Sequence, residues 1–133
     1  MERNELSQVR VLTRQARSSP DARHFVVDVL NDWGLVGMQD DAALVVAELV
    51  SNALRHTGTP SVRVIVRRMP SDTVRLIVID KHPELWPARQ SAGPLESGGR
   101  GLALVDAVTR VWGCTRLPRE KYVWADLEVS KDA

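Results

Sequence analysis

A narrow row of polar residues lies on an otherwise apolar predicted helix near the middle of the chain. Glu48, Asn52 and Arg55 fall on one line, because positions i, i+4 and i+7 share a helix face. Asp41 and His56 lie beside that line. The alternative is that the row is only the solvated face of the helix. Two features argue against it: asparagine is a poor residue inside a helix, and the row lacks the lysine–glutamate mixture of a solvated face. A carboxylate and an amide one turn apart suit a divalent cation and a hydroxyl group that must lose its proton.

An acidic side chain ends the second strand of a predicted hairpin. The period of two along a strand places Asp80 on the same face as Val74, Leu76 and Val78. If that face is the core side, the carboxylate needs a partner. It can then accept a hydrogen bond from a ligand amine, such as the exocyclic amine of adenine. The alternative is an aspartate that only caps a turn.

A glycine-rich turn leads into the last predicted helix. Gly98, Gly99 and Gly101 surround Arg100, and Leu102 follows directly. Glycines allow the backbone to approach a ligand closely, and the first N–H groups of a helix favour an anion. The turn is neither a P-loop, since no Gly-Lys-Ser/Thr follows, nor a dinucleotide fingerprint, since no parallel βαβ unit surrounds it. A turn without a ligand is the alternative.

The composition excludes several classes of protein. A chain of 133 residues with 44% hydrophobic and 26% charged residues is typical of one soluble globular domain. A formal charge of +1 argues against a nucleic-acid binder or a membrane-surface protein that works by bulk electrostatics. A single cysteine, Cys114, excludes a disulfide framework and a multi-cysteine zinc site. Without a membrane-spanning run or a secretory signal, we expect a cytoplasmic protein.

Hydrophobic periodicity and turn residues predict five strands and three helices. In chain order these are a strand at Val9–Thr13, a helix from Pro20 to Trp33 with Ser19 as N-cap, a helix from Asp40 to Arg55 or Thr57, strands at Val62–Arg68 and Val74–Asp80, a helix from Gly101 to about Arg110, and strands at Val111–Arg116 and Tyr122–Val129. Trp112 and Trp124 are expected in the core, because both lie on predicted strands. Hairpin pairing of successive strands predicts an α+β fold, a two-layer sandwich of a mostly antiparallel sheet with about three helices on one face.

The order of these features resembles that of the GHKL ATPase superfamily, which includes gyrase, the heat-shock chaperone, histidine kinases and mismatch-repair ATPases. Glu48–His56 (ELVSNALRH) resembles the family's N-box, Gly99–Val105 (GRGLALV) resembles its second glycine box, and Asp80 falls where the first box has its adenine-reading aspartate. The resemblance extends from Val9 to Val129. It is closest to the small bacterial anti-sigma-factor serine/threonine kinases, especially short actinobacterial ATP-binding regulators.

The resemblance implies a single histidine-kinase-like ATPase domain over residues 1–133, with ATP and Mg²⁺ as cofactors. It implies that Glu48 is the general base and that Asn52 is the Mg²⁺ ligand. The further nucleotide-binding residues that it implies are Arg55, His56, Asp80, Gly99, Arg100, Gly101 and Leu102. Residues at about 81–99, which include three prolines and three glycines, would form the ATP lid.

Two functions follow from the resemblance. The first is a kinase that phosphorylates an anti-sigma-factor antagonist and can sequester a sigma factor, with no direct contact to nucleic acid or membrane. The alternative is an inactive or nucleotide-gated protein-binding module on the same fold. It is favoured by residues 81–84 (KHPE), which replace the family's usual glycines, and by the lack of a Ser or Thr in 122–127 to hold the aspartate. We also expect a homodimer, in which the strand Val9–Thr13 pairs with a second copy.

Overall fold

The chain folds as a five-stranded antiparallel sheet that carries its helices on one face. The computed structural model describes residues 6–81 and 99–129, and only the backbone of His56 and of residues 99–102. The elements are, in order, β1 (Ser7–Thr13), α1 (Ser18–Asp32), a short 3₁₀ helix (Val36–Met38), α2 (Gln39–His56), β2 (Ser61–Met69), β3 (Thr73–Lys81), α3 (Gly99–Val108), β4 (Val111–Arg116) and β5 (Glu120–Glu128). The strand order is β1-β2-β3-β5-β4, and every neighbouring pair is antiparallel. The predicted α+β fold class is confirmed.

The main core lies between the sheet and helices α1 and α2. Every second residue of the central strands points to the helices, and both helices turn an apolar face toward the sheet. The largest fully buried leucines come from both layers, and they are Leu30, Leu49, Leu76 and Leu127. None of the helices in the described parts of the chain is long and apolar enough to cross a membrane.

Helix α1 begins earlier than predicted. It starts at Ser18, and Arg17 rather than Ser19 occupies the N-cap position, without a side-chain cap. The hydroxyl of Ser18 donates to the carbonyl of Thr13 at 2.9 Å and accepts from the N–H of Gln15 at 3.2 Å. This buried serine therefore fixes the turn between β1 and the helix, and the prediction of Ser19 as N-cap was wrong.

Helix α3 also begins earlier than predicted, at Gly99 instead of Gly101. Because glycine has a low helix propensity, the glycine pattern predicts a turn before the helix and not a part of it. The glycines at 99 and 101 are instead part of the first turn. Of the predicted lid, Lys81 ends β3 and Gly99 begins α3, while residues 82–98 lie outside the described residues.

A second, smaller apolar cluster lies on the face of the sheet opposite the main core. Its buried members come from β2 and β3, with two partly buried aromatic residues of β5 packed against them, and these are Ile65, Ile77, Ile79, Tyr122 and Trp124. Trp124 belongs here because its neighbours Val123 and Ala125 face the helices. Both tryptophans that were expected in the core therefore pack against a core cluster, Trp112 against the main one and Trp124 against the smaller one.

Candidate nucleotide site

The residues of the polar row on α2 differ in their exposure to solvent. Asp41 and Arg55 are exposed and Glu48 is half-buried, whereas Asn52 is only 6% exposed. The Oδ1 atom of Asn52 is buried and has no hydrogen-bond partner among the described residues. A buried amide oxygen without a partner is uncommon and costly, so a ligand that coordinates it would stabilise the site. An amide oxygen is a suitable Mg²⁺ ligand, so Asn52 fits the ion that the sequence implies.

The C-terminal end of α2 is held by Arg14, which follows β1. One guanidinium nitrogen donates to the carbonyl of Leu54 at 2.6 Å, and the other donates to that of Thr59 at 3.2 Å. Both also reach the carbonyl of Thr57, at 3.3 and 3.5 Å. The last carbonyls of a helix lack partners inside it and attract a cation. Arg14 therefore fixes the end of the helix that carries Asn52, a role that no local sequence signal indicated.

Thr59 connects this helix end to the end of β3. Its N–H donates to the hydroxyl of Thr57 at 3.1 Å, and its own hydroxyl donates to the carbonyl of Ser61 at 2.6 Å. The same hydroxyl accepts from the N–H of Lys81 at 3.0 Å. Since Lys81 follows Asp80 directly, this fully buried threonine sets where the aspartate lies relative to α2.

Asp80 lies at the helix-facing side of β3 and is fully buried. Its partner is Lys121 of β5, which stands opposite it in the strand register and places Nζ 3.6 Å from Oδ2. The face that Asp80 shares with Val74, Leu76 and Val78 is therefore the core side, and the carboxylate at its end has a charged partner, as that case requires. Burial raises the pKa of Asp80 to about 6, although Lys121 and Arg116 act in the opposite direction.

Sequence reasoning missed Lys121, because β5 was predicted to begin at Tyr122. The signal was present in the alternation of the strand, since Lys121 continues the row of Val123, Ala125 and Leu127 that faces the helices. Lysine is seldom buried without a paired anion, so its place in that row would have indicated Asp80 as a partner. The β5 side chain opposite Asp80 is thus the ammonium group of a lysine, not a hydroxyl.

The glycine segment 99–101 forms the first turn of α3, and α3 packs against α2. Helix α2 in turn contacts β3 and β5. The elements that carry Glu48, Asn52 and Asp80 are therefore neighbours, as the predicted site requires. Arg55 is exposed on α2, and the side chains of His56, Gly99, Arg100, Gly101 and Leu102 lie outside the part that is described.

The sequence profile of the histidine kinase-, DNA gyrase B- and HSP90-like ATPases matches residues 37–130. The match covers more than half of the chain and includes both the α2 row and β3, so the chain belongs to this family. Its members are ATPase-type domains, which implies that this protein is a nucleotide-binding, ATPase-like domain.

A solved structure supports the fold independently. A chain of the SiaB–SiaC complex from Pseudomonas aeruginosa superposes with a TM-score of 0.67, at 9% sequence identity. The match covers 94% of this chain and 91% of that one. No curated protein matches the chain significantly in sequence.

Proposed function

We propose that this protein is a Mg-ATP-dependent serine/threonine protein kinase of the anti-sigma-factor type. It phosphorylates an anti-sigma-factor antagonist and can sequester a sigma factor. The observation that carries the proposal is the buried Oδ1 of Asn52, which lacks a partner among the described residues and lies one helical turn from Glu48. Such a pair holds a metal ion and accepts a proton at one place.

The described side chains take distinct roles in this reaction. Glu48 is half-buried on α2 and accepts the proton of the acceptor serine hydroxyl as that oxygen bonds to the terminal phosphorus of ATP, whose bond to ADP breaks so that ADP leaves. Asn52 would hold Mg²⁺ through Oδ1, and the ion, when bound, neutralises charge on the phosphate oxygens. Asp80 accepts a hydrogen bond from the base at the bottom of the pocket.

The start of α3 completes the proposed site. Its first N–H groups, which begin at Gly99, have no partners within the helix and favour the charge of a phosphate. Arg100, Gly101 and Leu102 belong to the same first turn, and Arg55 and His56 belong to the last turn of α2. We assign these residues to the phosphate and ribose side of the nucleotide on the resemblance to the family.

One observation favours the second function, a protein-binding module without catalysis. Asp80 is fully buried and already paired with Lys121. A nucleotide must therefore compete with an internal cation for the carboxylate. In such a module the fold would bind its partner without transferring phosphate.

The two functions are separated by titrating Mg-ATP into the wild type, Glu48→Gln and Asn52→Ala, followed by transfer of labelled phosphate to purified candidate antagonists. For the kinase, Glu48→Gln keeps ATP affinity and loses transfer, whereas Asn52→Ala loses the Mg²⁺ dependence of binding. Asp41→Asn, exposed on the same helix, is the matched control and leaves both unchanged. A stable complex with an antagonist but no label transfer by the wild type would instead establish the module.

The proposal includes a homodimer formed through β1. This strand is an edge of the sheet, and its outward residues Val9 and Val11 are 54% and 60% exposed. An exposed apolar edge strand can pair with another chain. Replacing both valines by lysine should convert the dimer to a monomer in sedimentation velocity, without loss of the folded state. A wild type that sediments as a monomer at every concentration would contradict it.

A further inference from the structure

We propose that Lys121 is a base-reading residue of the nucleotide pocket, and that with Asp80 it lets the pocket accept 6-oxopurine nucleotides alongside ATP. Inosine and guanosine triphosphates are the nucleotides of this class. The inference rests on the proposed function, because it concerns the base that the same pocket binds. It depends on a buried lysine that stands beside the aspartate expected to read that base.

The two side chains form one unit at the end of the sheet. Lys121 and Asp80 are register partners on β5 and β3, and Nζ lies 3.6 Å from Oδ2. Both are almost completely buried, but only Lys121 retains exposed surface, with 7% of its side chain accessible against 0% for Asp80. A base that reaches the carboxylate therefore meets the lysine as well.

A second cation stands beside this pair. Arg116 of β4 is the register partner of Lys121 on its other side, so two cations and one carboxylate lie on three adjacent strands. Arg116 acts on Asp80 through space, since its charge lowers the pKa of the carboxyl group. Charges interact more strongly where water is excluded. An electron-rich carbonyl oxygen is favoured in such surroundings more than it would be beside a carboxylate alone.

The two classes of purine differ in the hydrogen-bonding groups that they present at C6 and N1. Adenine carries an amine donor at C6 and an acceptor at N1, whereas hypoxanthine and guanine carry a carbonyl acceptor at C6 and a donor at N1. A carboxylate alone accepts from the amine and repels the carbonyl. With an ammonium beside it, the carbonyl accepts from Lys121 and the N1–H donates to Asp80. Each purine class then pairs with both buried side chains. A site usually rejects a ligand that leaves one of its buried polar groups unpaired, and neither purine class does so here.

The test compares ATP with inosine triphosphate, whose base differs only by the exchange of amine for carbonyl and the resulting proton at N1. Affinities are measured by calorimetry in Mg²⁺ at pH 8, where Asp80 is ionised. We expect the wild type to bind the two within about tenfold of each other. Lys121→Thr, which offers a hydroxyl in place of the cation, should widen the preference for ATP to about a hundredfold. The control Arg119→Thr removes an exposed cation two residues before Lys121 and should not change the ratio.

The outcomes are separable from those of the proposed function. If ATP binds but inosine triphosphate binds at least a hundredfold more weakly to the wild type, the specificity inference is wrong and the nucleotide site stands. An unchanged ratio in Lys121→Thr overturns the inference in the same way. If neither nucleotide binds the wild type, both proposals fall. The ratio of the two nucleotide affinities in the wild type tests the inference without any variant. If Lys121→Thr does not fold, Lys121→Gln replaces it, and thermal melting checks that it is folded.

Discussion

The guanidinium of Arg14 lies 2.6 Å from the carbonyl oxygen of Leu54, so the residue that follows β1 closes the last turn of α2. The helix ends at His56 and the chain becomes extended at Thr57, and Arg14 supplies the donors that the last carbonyls lack. Asn52 lies two residues before Leu54, so the contact with Arg14 also helps to fix the position of the proposed metal ligand relative to β1.

Removing this contact should destabilise the protein and the site together. We expect Arg14→Ala to lower the free energy of unfolding by about 1 to 2 kcal/mol, since several charge-assisted hydrogen bonds are lost at a partly exposed position. Urea denaturation measures the change. Arg17→Ala is the control. The guanidinium of Arg17 lies 3.3 Å from the Asp21 carboxylate, and this exposed ion pair contributes only about a few tenths of a kcal/mol. Equal effects of the two substitutions would contradict the role of Arg14.

Gly113 leaves the space that the Trp124 indole occupies on the outer face of the sheet. A Cβ at position 113 would lie 2.7 Å from a carbon of that ring. The ring is confined by Arg75, whose guanidinium carbon lies 4.6 Å from the ring centroid and which binds Asp126 through two hydrogen bonds of 2.7 and 2.9 Å. The indole therefore cannot move aside cheaply.

Gly113→Ala should accordingly lower the free energy of unfolding by about 1 to 3 kcal/mol through overpacking. Most of this loss should disappear in a Trp124→Leu background, which removes the ring. Gly58→Ala serves as the control, because a Cβ there has no heavy atom within 4 Å and should change stability by about 0.5 kcal/mol or less. A loss that persists without the indole would show that the cause lies in the backbone.

The fold and part of the site could be predicted from local patterns. Alternation identified the strands, and the near-complete apolar character of α2 identified a buried helix whose polar residues needed another explanation. Glu48, Asn52 and Asp80 were found because each interrupts an apolar pattern. Each of these residues is recognised by comparison with its neighbours in the chain, so the sequence alone is enough to identify it.

The contacts that were missed join residues far apart in sequence. Arg14 reaches a carbonyl 40 positions away, and Lys121 pairs with an aspartate on a strand that is adjacent only because β5, not β4, lies beside β3. The start of α3 was missed for a different reason, since glycine disfavours a helix and its pattern predicts a turn at the residues where the helix begins. Tertiary contacts decided the cases of Arg14 and Lys121.

The titration of Asp80 should make stability depend on pH. Its pKa is raised from 3.8 to about 6 in the folded protein, so the folded state binds more protons than the unfolded state between pH 4 and 6. The stabilising contribution of this group is therefore fully present below pH 3.8 and is lost as the pH rises through 6. It amounts to on the order of 2 to 3 kcal/mol.

Asp80→Asn removes that contribution, so the difference in unfolding free energy between wild type and variant should change across pH 4 to 6.5 and stay constant above about pH 7. Denaturation series at each pH measure it, with the exposed Asp72→Asn as the control for the loss of one carboxylate. Parallel curves for wild type and Asp80→Asn over the acidic range would show that Asp80 does not titrate there.

The pairing of Asp80 with Lys121 should appear as a large coupling in a double-mutant cycle at pH 8. Lys121→Met alone removes the cation that faces this buried carboxylate and should lower the free energy of unfolding by about 3 to 5 kcal/mol. Adding Asp80→Asn removes the buried negative charge as well, so the double variant should recover most of that loss. The exposed pair of Arg17 and Asp21 provides the control cycle, with an expected coupling of about 0.5 kcal/mol or less. Additive effects of the two substitutions at 80 and 121 would mean that the lysine and the aspartate are neighbours without being partners.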